Sequence, residues 1–316
     1  NLDLGDIIVI SGKLFITKMG ELTIKADALE ILSKNIRPLP NLKEKDGESF
    51  NAFDDKELRY RHRHLDLIAN PEVMNVFKDR AKIISALRLE LDAQEYVEVE
   101  TPVLQSIYGG ASARPFTTFH NTLDQKLYLR IADELYLKRL IIGGFTKVYE
   151  IAKNFRNEGM DRTHNPEFTA LEFYQAYADV YDMMNLTEYL IHKVAKKIDK
   201  KNLIFLSHKI DISQPFARKS MFALLNEATG ERVDSMETPD LFELANTKSI
   251  NVEKKMNYGQ LLDAIFSSLV EPNLVQPTFV TDYPKAISPL AKVSRDGSTE
   301  IVERFELFIG GMEFAN

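Results

Sequence analysis

Apolar and polar positions alternate from the start of the chain. "DIIVISGKLFIT" (6–17) is rich in β-branched and apolar residues, "KMGE" supplies a turn, and "LTIKADALEIL" (22–32) sets Thr23 and Lys25 against apolar neighbours. This pattern predicts two strands joined as a hairpin of a small β domain. "RPLPNLKEKDGESFNAFDDKE" (37–57) follows, polar and broken by Pro and Gly. It reads as a linker, or as a long surface loop within one domain. The period then lengthens. Asn70 can cap a helix, Pro71 suits its first position and Glu72 favours its N-terminal dipole, while Val76, Ile83, Ile84, Leu87 and Leu91 recur at helical spacing. "EYVEVETPVLQ" (95–105) alternates Val97 and Val99 with acids until Pro102 ends the strand or confines it to an edge. "LYLRIA" (127–132) is a further strand, and "DELYLKRLIIGGF" (133–145) a capped helix closed by Gly143 and Gly144. Two strands span 147–177, a mixed helical region reaches about residue 270, and a last hairpin occupies 302–316; the stretch 199–220 shows no dependable pattern. The strongest strands are linked as hairpins and no regular βαβ rhythm appears. The expected class is α+β, an antiparallel sheet with helices packed on it.

The loop "FRNEGMDRTHNPEF" (155–168) interrupts the two strongest strands with charges of both signs. In "KVYEIAKNFR" one face holds Val148, Glu150, Ala152, Asn154 and Arg156; in "FTALEFYQAY" one face holds Phe168, Ala170, Glu172, Tyr174 and Ala176. The opposite faces, with Ile151, Phe155, Leu171 and Phe173, suit packing under helices. Arg156, Glu172 and Tyr174 among alanines read as the floor of a polar pocket, where an unpartnered Glu172 would be costly. A solvated face with cross-strand ion pairs is the other reading.

Composition narrows the function classes. The 316 residues are enough for one large domain and a small one, with 44% hydrophobic and 28% charged residues, ordinary for a soluble protein. No apolar run is long enough for a membrane span and no signal peptide is evident, so no membrane partner is expected. Cysteine is absent, which excludes disulfides and thiolate metal sites and suits a cytoplasmic location. A net charge of −7 gives no overall attraction for nucleic acid, leaving local basic patches to meet any such partner. The chain lacks an initiator Met and ends on a strand-like segment, and is read as part of a longer protein.

"FRNEGMDRTHNPEFTALEFYQAYAD" closely resembles motif 2 of the class II aminoacyl-tRNA synthetases, in detail that of the lysyl-tRNA synthetase family. "GGASARPF" (109–116), "LYLRIADELYLKRLIIGGF" (127–145), "VEPNLVQPTFVTDYPKAISPLAK" (270–292) and "ERFELFIGGMEFAN" (303–316) resemble segments of that family in its order. "YVEVETPVLQ" is similar to motif 1, whose proline lies at a dimer interface. The resemblance implies a six-to-seven-stranded antiparallel sheet flanked by helices. It also implies a division into the end of an OB-fold anticodon-binding domain (1–42), a linker (43–65) and a class II catalytic domain (66–316), with motif 3 following residue 316.

The implied activity is ATP-dependent lysine–tRNA ligation by a homodimer, with L-lysine, ATP and tRNA(Lys) as partners and Mg2+ accompanying ATP. Arg156 matches the motif 2 arginine on the amino-acid carboxylate and α-phosphate; Glu158, His164, Asn165 and Phe168 match ATP contacts, Phe168 stacking under adenine. Glu134, Glu172 and Tyr174 match the lysine-pocket residues, and Gly110 a neighbouring loop contact. Taken alone, His164 reads first as a solvated loop histidine, and Glu134 can be a first-turn helix acid. Two acids suit an ammonium substrate and argue against an aspartate-specific relative.

Glu306 and Glu313 resemble the family's ATP–metal ligands and Asn316 a lysine contact. A two-residue turn at Gly310-Gly311 would pair Ile309 with Met312 and make the two acids diagonal neighbours on one face. That simple register puts Asn316 on the opposite face, so either a bulge or a different turn is expected there; a solvated edge hairpin is the plain alternative. The basic run "RYRHRH" (59–64) reads as a surface segment pairing with acids such as Asp66, and contact with tRNA is its other reading. Two further functions fit parts of the pattern. One is a paralogue that attaches lysine to elongation factor P, against which the N-terminal hairpin counts; the other is an inactive tRNA-binding paralogue.

Overall fold

The computed structural model describes residues 1–37, 39–40, 42–45, 48–51, 53–161 and 163–316, and divides into two compact units, Asn1–Ala81 and Lys82–Asn316. In the first unit β1 (Ile7–Ile16) and β2 (Leu22–Ser33) form the expected antiparallel hairpin, with Gly20 at a positive φ of 88° in its turn. Leu14, Ile16, Leu22 and Leu32 of this hairpin are exposed, since two strands have no second layer of their own to cover them. The hairpin is consistent with the end of an OB-fold. Residues 43–65, expected as a linker, include most of a second hairpin, β3 (Leu42–Lys45) with β4 (Glu48–Asn51), as well as α1 (Lys56–Arg61) and the start of α2 (Arg63–Ala69). Positions 46, 47 and 52 of that stretch lie outside the described residues.

The basic run folds onto Asp66. Arg59 donates to its Oδ1 at 2.7 Å, Arg63 bonds its Oδ2, and Asn70 Nδ2 donates to Oδ1 at 2.8 Å. Asn70 therefore does not open the following helix. It is the C-cap of α2, and its carbonyl accepts from Val73 at 3.0 Å, so that α3 (Val73–Ala93) begins after Pro71 and Glu72. Leu91 is fully buried whereas Val76 is 67% exposed, so the packed stripe occupies only the second half of that helix.

The second unit continues through β5 (Val97–Glu98), β6 (Leu104–Gln105), β7 (Thr117–His120), β8 (Gln125–Leu129), α4 (Glu134–Ile142), β9 (Lys147–Phe155) and β10 (Glu167–Gln175). After α5 (Val180–Lys197) come β11 (Asn202–Phe205), β12 (His208–Asp211), β13 (Ala217–Ser220), α6 (Met221–Thr229), α7 (Thr238–Thr247) and α8 (Tyr258–Leu269). β14 (Thr278–Pro284), β15 (Ile301–Ile309) and β16 (Met312–Ala315) close the chain. Two sheets dominate, in the orders β10-β9-β5 and β13-β14-β15-β16, and β6-β8-β7 forms a third. Pairing is antiparallel except for β5 with β9 and β13 with β14. The class is α+β, as expected. Among the described residues no helix is long and apolar enough to cross a membrane.

Helices cover both faces of the four-stranded sheet. Met184 of α5 packs in one core with Phe279, Phe305 and Leu307, while α6, α7 and α8 bury Leu225, Leu241, Leu261 and Phe266 in another with Val280, Val302 and Phe308. Under β9 and β10, Tyr149, Ile151, Leu171 and Phe173 pack with Leu91 of α3 and Leu186 and Leu190 of α5. That leaves the other face of β9–β10 to α4.

A buried ionic network pins this second face. Arg130, at the end of β8, donates to Glu150 Oε1 of β9 at 2.7 Å, to the Lys153 carbonyl at 2.8 Å and to the Thr101 carbonyl at 3.1 Å. Thr101 Oγ1 donates to Glu150 Oε2 at 2.6 Å, so both carboxylate oxygens are used. Both charged side chains are almost wholly buried, at 3% and 4% exposure. Removing one partner leaves the other charged and desolvated. We expect Arg130→Met to lower stability by about 3–5 kcal/mol. Adding Glu150→Gln, which removes the charge and keeps an acceptor for Thr101, should restore much of that loss in urea unfolding. An additive loss would show that the pairing carries no coupling.

Candidate active site

The register of β9 and β10 brings the polar face together. Phe168 lies opposite Asn154, Ala170 opposite Ala152, Glu172 opposite Glu150 and Tyr174 opposite Val148. Directly opposed residues of an antiparallel pair share a face, so the two alanines clear the space between the polar groups. Tyr174 donates its hydroxyl proton to Glu172 Oε2 at 3.0 Å. Burial pushes the Glu172 carboxyl well above the usual carboxylate range, and the neighbouring Asp133 and Glu134 carboxyls add to it. Burial likewise pushes the Tyr174 phenol up.

Glu134 enters from the first turn of α4, and its carboxylate takes the ammonium of Lys138 at 2.5 Å. Gly110, at φ +88°, lies against this turn: a Cβ there would stand 3.0 Å from Glu134 Cβ and 3.2 Å from Ala132 Cβ. The structure thus brings Gly110, Glu134, Glu172 and Tyr174 to one place. It adds Asp133, the first residue of the segment expected as a capped helix, to which the sequence assigned no place in the site. Asp133 is fully buried and makes no capping bond with its side chain, accepting instead from Asn154 Nδ2 at 3.2 Å. The visible signal was an acid directly before Glu134, but an acid at a helix start has a commoner explanation.

Arg156 is half-buried just beyond β9, where its amide donates to the Pro166 carbonyl at 2.8 Å and its Nε to the Ile131 carbonyl at 3.4 Å. Its guanidinium lies 5.1 Å from the centroid of the Phe168 ring, a cation–π arrangement. Glu158 is exposed and accepts from the Arg114 amide at 3.2 Å. His164 sits at the loop tip, its Nδ1 2.9 Å from Asp161 Oδ2, and backbone amides of Thr163 and His164 hold the Asp161 carboxyl well below the usual range. Asn165 Nδ2 donates to the Glu167 carbonyl at 3.1 Å. His164 and Asn165 are thus set by local bonds of the loop, whereas Arg156 and Phe168 are set by the sheet.

In the last hairpin Gly310 and Gly311 both take positive φ, 66° and 76°, as the two-residue turn requires. Ile309 pairs Met312 and Phe308 pairs Glu313, but Leu307 pairs Ala315, so a bulge intervenes at Phe314. The extra residue returns Asn316 to the side of Glu313, to whose Oε1 it donates at 2.6 Å. Glu306 accepts from Tyr283 OH at 2.7 Å and bonds Arg304; burial raises its carboxyl, which Arg304 and Tyr283 oppose and Glu313 and Glu271 reinforce. Asn316 also lines a cleft of about 360 Å³ with Gln175 at the end of β10 and with Asp179, Arg295, Glu303 and Arg304. Among the described residues no group of three or more His, Asp or Glu assembles as a metal cage. A hard cation taking one or two carboxylates, with its remaining ligands from phosphate and water, fits Glu306 and Glu313.

The chain is similar over its whole length to known lysine–tRNA ligases. A lysine–tRNA ligase of Christiangramia forsetii is 50% identical over 317 residues, covering 100% of this chain and 56% of the relative. Lysine–tRNA ligases of Porphyromonas gingivalis and Carboxydothermus hydrogenoformans are each 48% identical, covering 99% and 100% of the chain and 54% and 63% of those relatives. The chain thus spans a little over half the length of the curated relatives it matches. The family model described as tRNA synthetases class II (D, K and N) matches residues 55–316, and the chain belongs to that family.

Proposed function

We propose that the protein is an ATP-dependent lysine–tRNA ligase, which activates L-lysine as lysyl-adenylate and transfers it to the 3′ end of tRNA(Lys). The observation that carries this reading is the acidic end of the pocket. Glu172 and its partner Tyr174 stand on the sheet face beside Ala152 and Ala170, and Glu134 comes near them from α4. A side-chain ammonium has three donors and a full charge to match them. An aspartate substrate, itself an anion, finds no complement there. The relatives match the N-terminal hairpin along with the rest of the chain, which favours tRNA as acceptor over a protein lysine.

In activation a carboxylate oxygen attacks the α-phosphorus of ATP and pyrophosphate leaves. Both reactants are anionic, so catalysis is positioning plus charge stabilisation. Arg156, held by the Ile131 carbonyl and the Phe168 ring, offers a planar fork for the substrate carboxylate and the α-phosphate. Phe168 would stack under adenine, with Glu158, His164 and Asn165 as polar contacts along the nucleotide. Asn316 and Gly110 would complete the lysine site. Glu306 and Glu313 would hold a magnesium ion, which supplies charge neutralisation for the triphosphate. A cytoplasmic homodimer, with the division at 1–42, 43–65 and 66–316, belongs to the same reading.

Lysine-dependent ATP–pyrophosphate exchange by the full-length protein tests the proposal, and its absence would refute the ligase reading. Arg156→Ala should slow exchange by at least about 10³-fold with an unchanged circular dichroism spectrum; near-normal exchange removes Arg156 from the mechanism. Glu172→Gln should weaken lysine binding by about 2–4 kcal/mol and leave ATP binding nearly intact. Retained lysine affinity in that variant would mean the pocket lies elsewhere. Finally, Glu306→Gln and Glu313→Gln should each raise the magnesium concentration needed for half-maximal exchange, and titrations unchanged from the unaltered protein in both variants would dismiss the metal assignment.

A further inference from the structure

Asp133 has a role the cap position does not explain. One of its oxygens accepts from Asn154, while Oδ2 is buried without a hydrogen-bond partner among the described residues, as is Asn154 Oδ1. The Asp133 carboxyl lies near enough to Glu172 to raise it. Two carboxylates so placed repel, and neither has a hydrogen to donate. Such a pair is stable when a cation lies between its members or when one of them keeps a proton.

The charged groups on the surrounding elements leave little choice. Arg130 is committed to Glu150, Lys138 to Glu134, and the Arg156 guanidinium lies over Phe168. Tyr174 donates to Glu172 Oε2 and none of its protons reaches the unpartnered acceptor on Asp133. The buried Glu150 opposite Glu172 is already neutralised by Arg130.

We propose that Glu172 keeps a proton against the unpartnered buried Asp133 carboxylate in the free protein, and that binding of an ω-ammonium group, here that of L-lysine, expels it to solvent. The O–H bond of the Glu172 carboxyl breaks, the proton passes to buffer, and the two carboxylates then face one ammonium. Asp133 is thereby a positioning residue that sets the protonation state of Glu172. The inference rests on the lysine pocket proposed above.

The sign of the linkage follows from the raised Glu172 carboxyl. In the free protein that group stays protonated where the unfolded chain has lost its proton, so stability falls as pH rises from the ordinary glutamate range towards the raised one. Lysine affinity rises over the same interval, because less proton remains to be displaced, and levels off above it.

The test is calorimetric titration of L-lysine into the full-length protein at neutral pH, in two buffers of different ionisation enthalpy. Release of about one proton per lysine bound supports the inference. In Asp133→Asn the release should fall and the rise of affinity with pH should move to lower pH, since burial alone then holds the Glu172 proton and no facing acid adds to it. Lysine binding with no buffer dependence in the unaltered protein would overturn the inference and leave the function standing. Unchanged release in a folded Asp133→Asn would overturn it equally. No lysine binding by the unaltered protein would refute the pocket itself.

Discussion

The ion pair between Arg130 and Glu150 fixes the geometry on which the candidate site depends. A guanidinium and a carboxylate removed from water must satisfy nearly all their hydrogen-bonding capacity internally. Here that demand is met by three separate pieces of chain: the end of β8, Thr101 after β5, and Glu150 with Lys153 on β9. Because Glu150 stands directly opposite Glu172, the same pair sets the height of the pocket floor and removes a negative charge from beside it. Glu172 and Asp133 are then left without an ion pair among the described residues, whereas Glu134 pairs with Lys138.

Much of this was legible in the sequence because sheets encode their faces with a period of two. The alternation in β9 and β10 separated Ile151, Leu171 and Phe173 from Glu150, Glu172 and Tyr174, and the structure packs the first set under helices and clears the second. The bulge in the last hairpin was legible too, through the conflict between the simple register and the side expected for Asn316.

The misses share a physical origin in residues whose local signal has two uses. Asn70 reads as an N-cap, but its side chain bonds Asp66 and it ends the helix before it. Asp133 reads as a cap, but its backbone is already helical at φ −98°, ψ −5°, and its carboxyl turns into the interior. The strands β11 and β12 were invisible because their turn, Leu206-Ser207, takes left-handed φ values of 47° and 70° without glycine or asparagine. β13 is four residues long and gains its place by pairing with β14, a contact more than fifty residues away in sequence.

The Phe314 bulge places a constraint on evolution that acts on chain length more than on residue identity. The side chain is 62% exposed, so many residues fit there. Its peptide unit is another matter, for it is the extra half-period that returns Asn316 to the side of Glu313. Losing one residue between Glu313 and Asn316 would carry every later side chain of that strand to the opposite face. Position 314 thus counts as a length of chain: its peptide unit, more than its side chain, holds Asn316 beside Glu313.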